Sequence, residues 1–151
     1  MSDVEGIDPD LPSPRPAYHA PSSIALVFAG GVLGTGGREG LSLAIPPVDG
    51  VPLTILGINV AGAFCLGLLL EGLHRRGPDH GGRRRLRLLA GTGFLGGFTT
   101  YSALAADTAM LLGDRPSGVG LAYALGTLVF GAAATWAGIA AASARTGGRA
   151  R

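Results

Sequence analysis

Beyond residue 21 the chain is dominated by four long apolar runs separated by short polar or charged stretches. They cover about Ser23 to Ile45, Val51 to Leu73, Leu86 to Leu112 and Gly118 to Ala144, and Arg38 and Glu39 interrupt the first near its end. Each is long enough to cross a hydrocarbon layer, which takes roughly 20 helical residues. Backbone groups in lipid must be bonded inside their own helix or in a closed barrel, and none of these runs alternates as a barrel strand does. The pattern therefore predicts an all-α membrane protein with four transmembrane helices. Ahead of them, residues 1–21 carry Asp3, Glu5, Asp8 and Asp10 and a proline at positions 9, 12, 14 and 16. Too little apolar surface is present there to offset chain entropy, which predicts a disordered acidic tail. Its acidic start is not that of a signal peptide, so the tail is expected to be retained. The division expected is tail 1–21, membrane domain 22–145 and a short basic C-terminal tail 146–151.

Charge adds an orientation. All 12 basic residues of the 151 are arginine and the net charge is only +2. The arginines cluster between apolar runs instead of lining a face, which argues against nucleic acid as a partner. With the N-terminus on one side, that side holds Arg15, the second-loop residues Arg75, Arg76, Arg83, Arg84, Arg85 and Arg87, and Arg145, Arg149 and Arg151, whereas Arg38 and Arg115 fall on the other. Ten against two places both termini and the second loop in the cytoplasm of a plasma-membrane protein. Cys65 stands alone, and His19, His74 and His80 lack ligand spacing, so no metalloenzyme is indicated.

Within the runs, a few polar positions and glycines stand out. Gly91-Thr92-Gly93-Phe94-Leu95-Gly96 fits the dinucleotide pattern G-x-G-x-x-G, but it lies inside a membrane-length run with no preceding strand. Gly30-x-x-x-Gly34 and Gly93-x-x-x-Gly97 have the spacing of close helix packing. Asn59, in the middle of the second run, must either bond a neighbouring helix or face a wet path. Tyr123, Thr127 and Thr135 share one face of the fourth helix, as a polar track or as hydroxyls bonded back to the helix carbonyls. In "GFLGGFTTYSALA" two glycines and two threonines meet mid-helix, which favours a break. Such a break is either a plain kink or a place where freed carbonyls bind a cation.

Three of these stretches together resemble the small fluoride channels of the Fluc or CrcB family. "GGVLGTGGREG" is similar to its first-helix signature, "INVAGAFCLG" to its second-helix motif and "GTGFLGGFTTYSALA" to its third, in the right order and spans. The resemblance covers roughly Ile24 to Ala144. It implies passive export of fluoride, no enzymatic activity, and two four-helix subunits packed antiparallel in the lipid membrane. A structural sodium ion would bind the backbone carbonyls of Gly96 and Thr99 at paired helix breaks. Asn59 would donate its amide to the anion, with Tyr101, Ser102, Leu104, Tyr123 and Thr127 along the pore and Arg38 at the vestibule. Two departures from the family stand out: Tyr101 and Leu104 occupy places where it has phenylalanines whose ring edges face fluoride, and Thr54-Ile55 replaces a Gly-Thr. Leucine offers no ring edge. That gap and the arginine bias point to a homologous second subunit as antiparallel partner, with a homodimer as the alternative. Other readings of four short spans are a small multidrug-type transporter and a non-conducting partner subunit.

Overall fold

The structure, a computed structural model, describes residues 20–114 and 117–147; most of the acidic tail, with Arg15, and also Arg115 and the last four residues lie outside them. Helix α1, Pro21–Ala44, opens on a proline, whose fixed φ and missing N–H suit a first turn. Its exit at Ile45 is extended, as the residue before a proline prefers, and Pro46-Pro47 prevents continuation. Val48 and Val51 then exchange two backbone bonds of 3.1 and 2.9 Å across Asp49 and Gly50, both at positive φ (49° and 72°). That Asp-Gly pair is the sequence a tight primed turn requires. Helix α2, Leu53–His74, follows, and α3, Gly81–Leu86, runs into a π-helical segment, Arg87–Leu95, and the single turn α4, Gly96–Phe98. After the break come α5, Tyr101–Asp114, and α6, Ser117–Gly147.

The third predicted span is thus interrupted near its centre, but by the threonines and not by the glycines. Gly96 keeps helical angles (φ −65°, ψ −35°), and the chain turns extended at Thr99 (φ −76°, ψ 154°). The glycines serve packing. α1 lies against the π segment and α4, and its two-glycine motif meets the other one directly. A Cβ on Gly34 would overlap the Phe94 carbonyl and reach 2.9 Å from the Phe98 nitrogen, while one on Gly97 would come 2.5 Å from the Gly31 carbonyl oxygen. Close backbone approach of this kind drives helix association where lipid offers no hydrophobic force. Elsewhere α2 packs along α6, and α5 caps that pair through Leu104, Leu111 and Tyr123.

Among the described residues, α2 and the stretch Gly118–Ala144 are each long and apolar enough to cross a membrane. α1 has the length but is diluted by glycine, serine and the Arg38-Glu39 pair. Large apolar side chains such as Phe28, Leu43, Val129, Phe130 and Trp136 point outward along the helices. That is the surface of a chain solvated by lipid or by a partner.

Candidate functional site at the helix break

The break is held from the neighbouring helix. Asn59, in mid α2, accepts from the Thr100 N–H through Oδ1 (2.8 Å) and donates through Nδ2 to the Thr100 carbonyl (3.0 Å). Because the Thr100 N–H can only donate, this pair also fixes which end of the amide is which. The second Nδ2 proton has no protein acceptor among the described residues. Thr100 in turn caps α5, its Oγ1 accepting from the Ala103 N–H at 3.2 Å, and lies 3.2 Å from the Ser102 hydroxyl. Two helical bonds are lost in consequence. The N–H that would have closed on the Gly96 carbonyl goes to Asn59, and the one that would have closed on the Thr99 carbonyl goes to Thr100 Oγ1. Both carbonyls are left as acceptors, that of Gly96 at an exposed residue and that of Thr99 at a half-buried one.

The other predicted site residues divide. Tyr101 stands 79% exposed, directed away from its own chain, whereas Leu104 is 6% exposed and packed against Leu111 and Tyr123. Tyr123 and Thr127 are buried between helices. The Tyr123 hydroxyl lies 3.3 Å from Asp107 and 3.5 Å from the Pro52 carbonyl. The hydroxyls of Thr127 and Thr135 return to the Tyr123 and Gly131 carbonyls at 2.7 and 3.0 Å, so these two members of the fourth-helix stripe are bonded within their own helix. Arg38 lies apart, in a cavity of about 270 Å³ between α1, α2 and α5, lined also by Ser42, Thr54, Ala103 and Asp107. Ile55, one turn before Asn59, and Ala103, bonded to Thr100, join that cavity to the break.

Sequence reasoning missed Asp107, and took Thr100 only as one of the threonine pair at the break. Asp107 had a signal, a carboxylate inside an apolar run. Thr100 had none beyond its neighbour Thr99, since its role depends on Asn59 reaching it from 41 positions away.

At one end of the bundle the second loop gathers the start of α1 and the end of α6. Ala20, Ser22 and Ser23 line a cleft with Arg84 and Arg85, and Arg75 bonds both Glu71 and Ser143 (2.8 Å to the latter). Arg87 donates twice to Asp79 Oδ2 (3.0 and 2.7 Å), and this bonding holds the Asp79 carboxyl below its ordinary value. Arg38 is at the opposite end, beside the turn at Asp49-Gly50. The described arginines are therefore divided between the ends as unevenly in space as in sequence.

Two described helices long and apolar enough to cross a membrane, together with a break pinned by a side chain, are features of a membrane protein. Residues 25–139 match the family model described as CrcB-like protein, Camphor Resistance (CrcB). The chain is 55% identical over 122 residues to the fluoride-specific ion channel FluC 2 of Leifsonia xyli subsp. xyli (81% of this chain, 84% of the relative). It is 48% identical to FluC 1 of Cutibacterium acnes (80% and 85%) and 44% identical to FluC of Gloeobacter violaceus (79% and 94%), both of the same descriptive name. The chain belongs to the CrcB family, a family of ion channels and not of enzymes.

Proposed function

We propose that this chain is a subunit of a fluoride-specific channel that lets cytoplasmic fluoride leave passively. Weakly acidic HF enters a cell, ionises in a more alkaline interior, and the trapped anion needs a pore. Fluoride is small and strongly hydrated, so the pore must replace water with good donors and still release the ion. The observation that carries this reading is Asn59: two of its bonds lock the amide rigidly on Thr100, and its second Nδ2 proton stays available in mid-span. Ser102, Tyr101, Tyr123 and Thr127 are the further pore residues, and Arg38 the attractor at the vestibule.

Sodium fits the break. The Gly96 and Thr99 carbonyls have lost their helical donors, and hard oxygen ligands suit an alkali cation. Bound there, the ion would neutralise the freed carbonyl dipoles and fasten two antiparallel subunits at their centre. The arginine-rich end, with both termini, is the cytoplasmic one. A bias of ten arginines to two directs insertion one way, so the antiparallel partner is a homologous chain of opposite bias. Leu104 supports the same view: it packs into its own core, leaving the partner to supply the ring edge it lacks.

Fluoride efflux from proteoliposomes tests the reading. The chain reconstituted with an oppositely biased homologue is expected to pass fluoride and not chloride, without a proton gradient, and the chain alone little. Efflux that requires a proton gradient, or none from the mixture, overturns the channel reading; full efflux from the chain alone overturns the heteromer.

A further inference from the structure

The second-loop arginines fall into two groups. Arg75, Arg83 and Arg87 are bonded within the chain: to Glu71 and Ser143, to the Pro78 carbonyl at 2.9 Å, and to Asp79. The side chains of Arg84 and Arg85 make no hydrogen bond or ion pair among the described residues, and Arg84 meets Asp79 only at longer range. These two line a cleft of about 230 Å³ between the starts of α1 and α3, together with Ser22, Leu26 and Leu88. Leu26 lies one helical turn past Ser22, and Leu88 one turn past Arg84 and Arg85. On both helices the lining therefore passes from polar to apolar in the direction of the span. Ile24 and Leu86, beside the cleft in sequence, are exposed.

We propose that this cleft seats one anionic phospholipid, its phosphate on the Arg84 and Arg85 guanidinium groups and its acyl chains along Ile24, Leu26, Leu86 and Leu88. The site does not depend on which ion the chain conducts. A guanidinium is weakly hydrated and matches phosphate oxygens with paired donors, so two of them without a bonded counter-charge favour that group over a carboxylate. Arg83 and Arg87 on either side add positive charge, which a bound phosphate relieves. A free phosphate would satisfy the arginines and leave the leucines bare. A phospholipid covers both, since basic pockets between spans at the membrane surface hold headgroups over hydrocarbon. Seated there, it ties the start of α1 to the start of the third span, the same two stretches whose backbones meet deeper at Gly34 and Phe94.

The test uses the full chain in neutral detergent, titrated with phosphatidylglycerol, phosphatidylcholine or inorganic phosphate. Native mass spectrometry counts the lipid retained, and the melting temperature is followed alongside. Phosphatidylglycerol is expected to stay bound and to raise the melting temperature, and neither of the other two should. Arg84→Gln and Arg85→Gln should each weaken retention about fivefold, and the double change more. Arg76→Gln removes an equal charge from the same end of the bundle but lies outside the cleft, and should leave retention unchanged. An Arg76→Gln effect as large as that of Arg84→Gln would mean diffuse attraction to the arginine-rich end and overturns the site. Equal stabilisation by inorganic phosphate, which needs no apolar wall, overturns it too. So does lipid retention that appears only once Asp3, Glu5, Asp8 and Asp10 are all changed to their amides, which would assign the cleft to the acidic tail.

Discussion

The helix break and the arginine-rich end hold a similar number of polar contacts, yet they do opposite things for the molecule. At the break, Asn59 and Thr100 are half-buried, and the bond from the Thr100 N–H to Asn59 replaces one the helix would have made. At the arginine end, Arg75 with Glu71 and Arg87 with Asp79 are surface pairs, competing with water and salt. Exposed pairs of that kind contribute little, whereas an unpaired buried amide is expensive. The location of a polar group, more than its charge, decides whether it shapes the chain.

Mutations can break this contrast, beginning with the largest effect. Asn59→Ala leaves the Thr100 N–H without its partner, at about 1–3 kcal/mol. Fluoride efflux should fall by two orders of magnitude or more, with a lower melting temperature in detergent. Asn59→Asp sharpens the point, since it keeps the acceptor for Thr100 N–H but exchanges the anion's donor for a charge: it should recover part of the stability and none of the efflux. Efflux unchanged by Asn59→Ala would reduce the amide to a packing group.

Gly34→Val comes next. Its side chain has no room against Phe94 and Phe98, and forcing bulk into a close contact costs about 1–3 kcal/mol. Size-exclusion chromatography should show loss of the monodisperse species, while the same change at Gly36, which has open space around it, should be tolerated. Thr100→Val is smaller, removing the α5 cap at about 1 kcal/mol. Its readout is melting temperature, a few degrees down.

Asp79→Asn at the arginine end should be smallest, with no resolvable change in moderate salt. Because bonding to Arg87 depresses the Asp79 carboxyl in the folded chain, whatever that pair contributes is present above the ordinary carboxylate range and lost as the pH falls through and below it. A melting temperature that drops for Asp79→Asn at neutral pH as much as for Thr100→Val would erase the contrast between the two regions.

Much was legible from the sequence because membranes impose one-dimensional rules. Span length, the arginine division and the helical spacing of Gly30, Gly34, Gly93 and Gly97 all depend on local composition and periodicity. The first helix, Pro21–Ala44, keeps close to the expected Ser23 to Ile45, and prolines at its ends act on their own neighbours. What tertiary structure decided was where each polar group sends its protons. A break was expected where the glycines and threonines of "GGFTT" meet, but Gly97 is held helical by the face of α1 against it, and the chain opens at Thr99-Thr100 because Asn59 offers a better partner there than the helix does. The same holds for the stripe of Tyr123, Thr127 and Thr135: the two threonine hydroxyls return to their own helix, whereas that of Tyr123 reaches Asp107 and the Pro52 carbonyl. Spacing puts a hydroxyl on a face. Only the distance to an acceptor decides whether it bonds its own helix or a neighbouring one.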